Sequence, residues 1–223
     1  MFFPQRSPGF TMALPVAPKW KLDQVVDLLA VDLATVKNFL NIPLEDSYFD
    51  DEKVQMIAVA QSAIEDYCQM TLVESFWTAK LWGFYDTIKL MKRPFLSVEK
   101  IEYVDPDTGD ITLLAADQYG WGFGHQDIGF VVRGESTAWP DTARRWDAVR
   151  IQVKAGFEEL PSVLLQALLI TIAAIDKSRA DDGAGDKTTN TVYGLKHQTA
   201  ASIIPPEAKG LLAPWTYQTL GFG

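Results

Sequence analysis

The stretch from Leu160 to Arg179, Leu-Pro-Ser-Val-Leu-Leu-Gln-Ala-Leu-Leu-Ile-Thr-Ile-Ala-Ala-Ile-Asp-Lys-Ser-Arg, constrains this chain more than any other. Pro161 suits a first helical turn, where the N–H that proline lacks would have no partner anyway. From Val163 to Ile175 only Gln166 and Thr171 are polar, and neither glycine nor proline interrupts. Apolar residues surround such a helix instead of forming one stripe, so it needs cover on most sides. A membrane span needs roughly 18 or more apolar residues, and this run is shorter. It therefore belongs in a helical core or between subunits.

The chain has 223 residues, enough for one or two domains with a sizeable core. A composition of 48% hydrophobic and 22% charged residues is that of a folded protein. The formal charge of −9 argues against a free-standing nucleic-acid binder, which carries a basic excess. Cys68 is the single cysteine, which excludes an internal disulfide and suits a reducing compartment. Residues 1–18 show no unbroken apolar run of the secretory type, so a soluble protein made in a cytoplasm is expected.

Pro4, Pro8, Pro15 and Pro18, with Ser7 and Gly9, make residues 1–30 an extended arm, in which Phe2, Phe3 and Phe10 are candidates for docking on a neighbour. Within it, Leu22, Val25, Val26 and Leu29 fall on one face of a short helix from Lys21 to Leu29. Asp32 reads as the N-cap of a helix from Leu33 to Leu40, closed by Pro43. Asp50, Asp51 and Glu52 open a longer helix whose stripe is Val54, Ile57, Ala58, Ile64 and Cys68, the expected partner of the 160–179 helix.

After Met70 the apolar period changes from 3.6 to 2. Strands are expected at Val73–Leu81, Thr87–Leu90, Val98–Val104, Ile111–Leu114, Gly129–Arg133 and Val149–Lys154, with Asp105-Pro-Asp-Thr-Gly109 as a hairpin turn. The fold class is thus α+β, a helical bundle with an inserted antiparallel β-rich region. The helical core is discontinuous, at 31–70 and 157–212, and the insertion occupies 71–156. Trp77, Ile101, Tyr103 and Val149 to Val153 are expected inside the insertion. Ala180 to Asp186 reads as a loop and Glu207 to Leu212 as a short helix. The tail, 213–223, is uncharged yet holds Trp215, Tyr217, Leu220 and Phe222, which marks it as a docking peptide, with packing on its own chain as the alternative.

Catalytic patterns fail on context. Gly183-Ala-Gly-Asp-Lys187-Thr188 lacks the Gly-Lys-Thr run of a phosphate loop and follows a helix instead of a strand. Gly134-Glu-Ser136-Thr-Ala138 resembles a nucleophile elbow, but Ala138 replaces a glycine and Pro140 blocks the helix that should follow. His125 and His197 are the two histidines, which with one cysteine build no typical zinc site. No catalytic, cofactor or metal residues are assigned. The helices at 32–40 and 50–69 are separated by a connector too long for a helix-turn-helix, and the second opens with three acids that would repel phosphate.

Taken as a set, Val31-Asp-Leu-Ala-Thr-Val-Lys-Asn-Phe-Leu40, Ile64-Glu-Asp-Tyr-Cys68, Arg93-Pro-Phe-Leu-Ser-Val98, Ile101-Glu-Tyr-Val-Asp105, Ala148-Val-Arg-Ile151 with Ala155-Gly156, the 160–179 helix and Leu211-Leu-Ala-Pro-Trp215 resemble the phage head–tail connector family, the adaptor or head-completion proteins also labelled possible DNA-packaging proteins. The resemblance spans residues 31–217. It departs at Ile175-Asp-Lys-Ser-Arg179, where relatives often carry an aromatic–acidic pair, and at Thr216, where a basic residue is common. It implies a non-enzymatic virion protein of the neck. Such a protein forms a ring, twelve-fold on the portal protein, meets a head-closure or tail-side connector protein, touches no membrane and lets DNA pass. The portal-binding residues are then expected among Leu211, Leu212, Pro214, Trp215, Tyr217, Leu220 and Phe222. The competing expectations are a hydrolase using Ser136 and a DNA-binding packaging factor.

Overall fold

A computed structural model describes residues 17–135, 137–183 and 203–217. The arm residues Phe2, Phe3 and Phe10, Ser136, Lys187, His197, Leu220 and Phe222 lie outside them. The elements run β1 (Lys19–Val25), α1 (Leu33–Phe39), α2 (Asp50–Cys68), β2 (Ser75–Leu81), β3 (Thr87–Leu90), β4 (Phe95–Val104), β5 (Ile111–Leu113), β6 (Tyr119–Phe123), β7 (Gly129–Arg133), β8 (Val149–Ala155), α3 (Ser162–Gly183) and α4 (Pro206–Leu212), with short 3-10 turns at Ala116–Gln118, His125–Asp127 and Ala213–Trp215. The class is mixed α+β, and both sheets are antiparallel.

The larger sheet has the order β1-β2-β8-β4-β5 and the smaller one β3-β7-β6. Val149, Ile151 and Val153 of β8 point inward and are fully buried, as their alternation requires. Ile88, Leu90 and Val131 from the smaller sheet join Ala79, Leu81, Val98 and Ile101 from the larger in a single apolar cluster with them. Trp77 and Tyr103 lean on that cluster and are only partly buried.

The second cluster surrounds α3. Leu164, Ala167, Leu168 and Ile172 are fully buried there with Ile57, Ile64 and Cys68 of α2, Val36 of α1 and Ala208 and Leu212 of α4. Thr171 is also enclosed, its hydroxyl donating to the Ala167 carbonyl at 2.8 Å, so the polar group has its partner. Val163 stays 43% exposed, leaving one side of α3 open. Among the described residues no helix is long and apolar enough to cross a membrane.

Three expectations need correction. Lys21–Leu29 is not a helix: residues 19–25 form β1, which pairs with β2 through Trp20↔Ala79 and Leu22↔Trp77. The 3,4 spacing of Leu22, Val25, Val26 and Leu29 competed with a period-2 alternation starting at Trp20, and pairing with β2 decided between them. The stripe of α2 is rotated, since Val54 and Ala58 face outward while Met56, Ala60 and Ala63 are buried. Helix α3 continues to Gly183 instead of ending at Arg179. A strand beyond those expected is β6 at Tyr119–Phe123, its Tyr-Gly-Trp-Gly-Phe alternation disguised by two glycines.

Candidate functional site

Helix α2 ends where the two clusters meet. Its last carbonyls lack intrahelical donors, and Gln69 turns the chain off in the left-handed region at φ 55°. Arg93, on the connector between β3 and β4, fills this need from outside. Its Nε donates to the Gln69 carbonyl at 3.1 Å, and its Nη2 donates to the carbonyls of Cys68 and Trp215, each at 2.7 Å. Burial pulls the Arg93 pKa down from its usual value, opposed by Cys68, Asp127 and Tyr217, but a guanidinium remains charged in any case. The peptide bond Arg93–Pro94 is cis. One buried cation thus joins the sheet region, the end of α2 and the C-terminal segment.

That segment uses the sequence-predicted docking residues in unequal ways. Leu212 is fully buried in the helical cluster, and Leu211 and Trp215 pack against it. The Trp215 ring meets Phe157 edge-on at 5.8 Å, and Tyr217 lies 5.4 Å from the Arg93 guanidinium. Pro214 is exposed. Through residue 217, then, the tail is laid along its own chain, with Arg93 as the clasp. A lone arginine before a proline carries no sequence sign of this role; the need of α2 for a C-terminal partner is the only available hint.

Beside the clasp lies a cleft of about 350 Å³. Trp20 and Trp77 form one wall, Met70 and Met91 add thioethers, and Glu65 and Asp66 come from the last turns of α2. The Lys92 ammonium sits 3.4 Å from the centre of the Trp77 ring. Burial depresses the Lys92 pKa, with Glu65 opposing the change. Burial likewise raises the Glu65 pKa, resisted chiefly by the Leu72 N–H, which donates to its Oε1 at 2.8 Å. Two groups pushed toward neutrality in a cleft can mark a catalytic pair. The nearby thiol is not a nucleophile: Cys68 is fully buried and its pKa is pushed up to about 11.

At the other end of α2 the chain makes a rigid projection. Lys37 is 4% exposed, and its ammonium donates to the carbonyls of Leu44 and Asp46, at 3.3 and 2.8 Å, and pairs with Asp50 at 2.5 Å. Those three contacts pin the 41–49 connector. Leu44, Tyr48 and Phe49 are thereby held outward at 54%, 84% and 52% exposure, with the Tyr48 and Phe49 rings edge to face at 4.6 Å. Among the described residues no group of three or more His, Cys, Asp or Glu is placed to hold a metal ion.

A clasped tail, an aromatic cleft and an aromatic projection are contact features. The fold is that of chains in the neck of a gene transfer agent particle. One, from the neck of an empty particle computed with C6 symmetry, matches at a TM-score of 0.64 and 19% identity, over 91% of this chain and 98% of the other. A second, from the virion of the native particle, gives 0.60 and 20%, over 91% and 97%. A third, from the native neck computed with C12 symmetry, gives 0.57 and 22%, over 90% and 98%. No family model matches the sequence, and none of the curated proteins does. The likeness covers nearly the whole of each chain compared.

Proposed function

We propose that this chain is a structural virion protein, a head–tail adaptor that forms a ring beneath the portal, joins the DNA-filled head to the tail and leaves a passage for DNA. The observation that carries the reading is the near full-length match to chains from particle necks computed with six- and twelve-fold symmetry. In this reading the four described helices act as one bundle, and residues 71–156, joined at one sheet edge by β1, act as a β-rich insertion resting on it. The formal charge of −9 per subunit suits a ring through which DNA slides without sticking. Imaging of the assembled particle tests the placement: a ring of this chain against the portal is expected, and density confined to the tail tube or the capsid shell would overturn it.

The tail is proposed as the portal-binding element, with a division of labour. Leu211, Leu212 and Trp215 anchor the segment on its own chain, while Pro214 and residues beyond Tyr217, including Leu220 and Phe222, meet the portal. Truncation after Tyr217 should weaken capture by portal protein and leave the melting temperature unchanged. Trp215→Ala should weaken capture and also lower the melting temperature, because the Phe157 contact is lost. Undiminished capture by both variants would dismiss the tail as the attachment element.

A further inference from the structure

A cyclic ring is built from heterologous contacts, in which each subunit offers two different surfaces to its two neighbours. The chain carries two such surfaces at opposite ends of one rigid rod. The rod is α2, which spans Asp50 to Cys68, about 27 Å at 1.5 Å per residue. At its N-terminal end the Lys37-pinned connector presents Leu44, Tyr48 and Phe49 to solvent. At its C-terminal end lies the cleft walled by Trp20, Trp77 and Met91. We infer that the Tyr48–Phe49 projection of one copy seats in the Trp20–Trp77 cleft of the next, and that this head-to-tail contact closes the ring.

The inference rests on the ring reading above, and three observations favour a second copy as the occupant. Apolar rings held this far into water by a buried lysine are arranged as a preformed knob, with little ordering left to do on binding. The cleft supplies aromatic and thioether walls of the kind that accept such rings. Charge also matches. Among the described residues Lys92 has no carboxylate within ion-pair distance, its ammonium resting on Trp77 instead. The projection brings the exposed carboxylates Glu45 and Asp51 on either side of its rings. Glu65 and Asp66 are the like charges lining the cleft, and they limit how closely those acids approach.

Disulfide trapping on the full chain tests this. Cys68 is fully buried, so a single introduced cysteine is the reactive one. Chains with Tyr48→Cys and chains with Met91→Cys are mixed at high concentration under mild oxidation, beside an Asp107→Cys control on the exposed 105–109 turn. Covalent dimers are expected from the mixture and from neither single variant beyond the control, and the double variant should give a ladder ending in a closed species. Self-linking of the Tyr48→Cys chains would overturn the inference, since it signals a two-fold contact. Rings visible in micrographs without linkage above the control would overturn it while leaving the ring reading intact. Neither rings nor linkage would remove both. In the unlinked protein Tyr48→Ala should weaken association by more than about tenfold with the melting temperature held; unchanged association would also sink the inference.

Discussion

The cluster around α3 draws Val31, Val36 and Met56 from one part of the chain and Ala208 and Leu212 from another, whereas the sheet cluster takes all its fully buried side chains from the interval Ala79 to Val153. The helical core can form only when distant segments meet, and the sheet core is nearly self-sufficient in sequence. They are nonetheless joined tightly at few points. Val73 makes a parallel bridge to Phe157, Gly156 donates its N–H to the Pro94 carbonyl at 2.9 Å, and Arg93 reaches across to the end of α2. The difference predicts that cooperativity between the two regions resides in the junction and not in either core.

Gly156→Ala should have the largest effect. Gly156 has φ +110°, and a Cβ there would lie 2.0 Å from the Val73 carbonyl oxygen, on backbone that cannot yield. A loss of about 4 kcal/mol or more is expected, in the range reserved for strain and overpacking. Urea unfolding followed by tryptophan fluorescence and by far-ultraviolet dichroism should show the two signals separating, because the junction is what couples the regions. Coincident curves at full stability would refute its role.

Next is Leu168→Ala, which opens a cavity in the fully buried centre of α3 and should cost about 2–5 kcal/mol. With the junction intact, both signals should shift together. A helical signal that melts first would show that the sheet region stands alone.

Much of this division is legible in the sequence. The apolar run in α3 and the Val149-Ile151-Val153 alternation state their burial directly, because each satisfies one period and no other. Strand β1 is not legible, since 20–29 fits two periods and the choice depends on the free edge of β2. Arg93 and Trp215 are opaque for a different reason. Their partners, Cys68 and Phe157, are remote in sequence, and nothing local requires the contact. The projection at Tyr48 is similarly hidden, because it depends on a lysine being buried, which composition alone would never suggest.

Asp147→Asn probes the sheet side at intermediate cost. Asp147 is 4% exposed and accepts hydrogen bonds from Arg145 and from Arg150, the latter at 2.8 Å. The Arg145 hydrogen bond, with help from Arg150 and against the effect of burial, lowers its pKa from 3.8 to about 2. A carboxylate with a depressed folded-state pKa stabilises the fold above its unfolded value, and that contribution disappears as pH falls through the folded one. The substitution should therefore cost about 1.5–3 kcal/mol at neutral pH, the range for hydrogen bonds to a charged group. The gap between variant and parent should close as the pH falls from 3.8 to about 2, measured by urea titration at each pH. A gap independent of pH would show that the charge is not what matters.

The smallest effect is expected from Asp32→Ala. Asp32 caps α1 by accepting from the Thr35 N–H at 2.6 Å, at an exposed site, so about 1 kcal/mol should be lost. The melting transition should drop by a few degrees with both signals still coincident. A change in the ratio of the two signals would instead tie α1 to the junction.

The strand order has a consequence for how the protein is made. β8 lies in the middle of the larger sheet, between β2 and β4, yet among the described residues it is the last strand to be synthesised. Until residue 155 has left the ribosome, β1 and β2 can pair only with each other, and β4 only with β5. The nascent chain must carry two unjoined hairpin-like pieces with open edges, and α3, which completes the other core, emerges later still. Folding is then a late, concerted event that follows translation of most of the chain. Slowing synthesis between β5 and β8 should prolong the time those edges are exposed and raise the demand on chaperones.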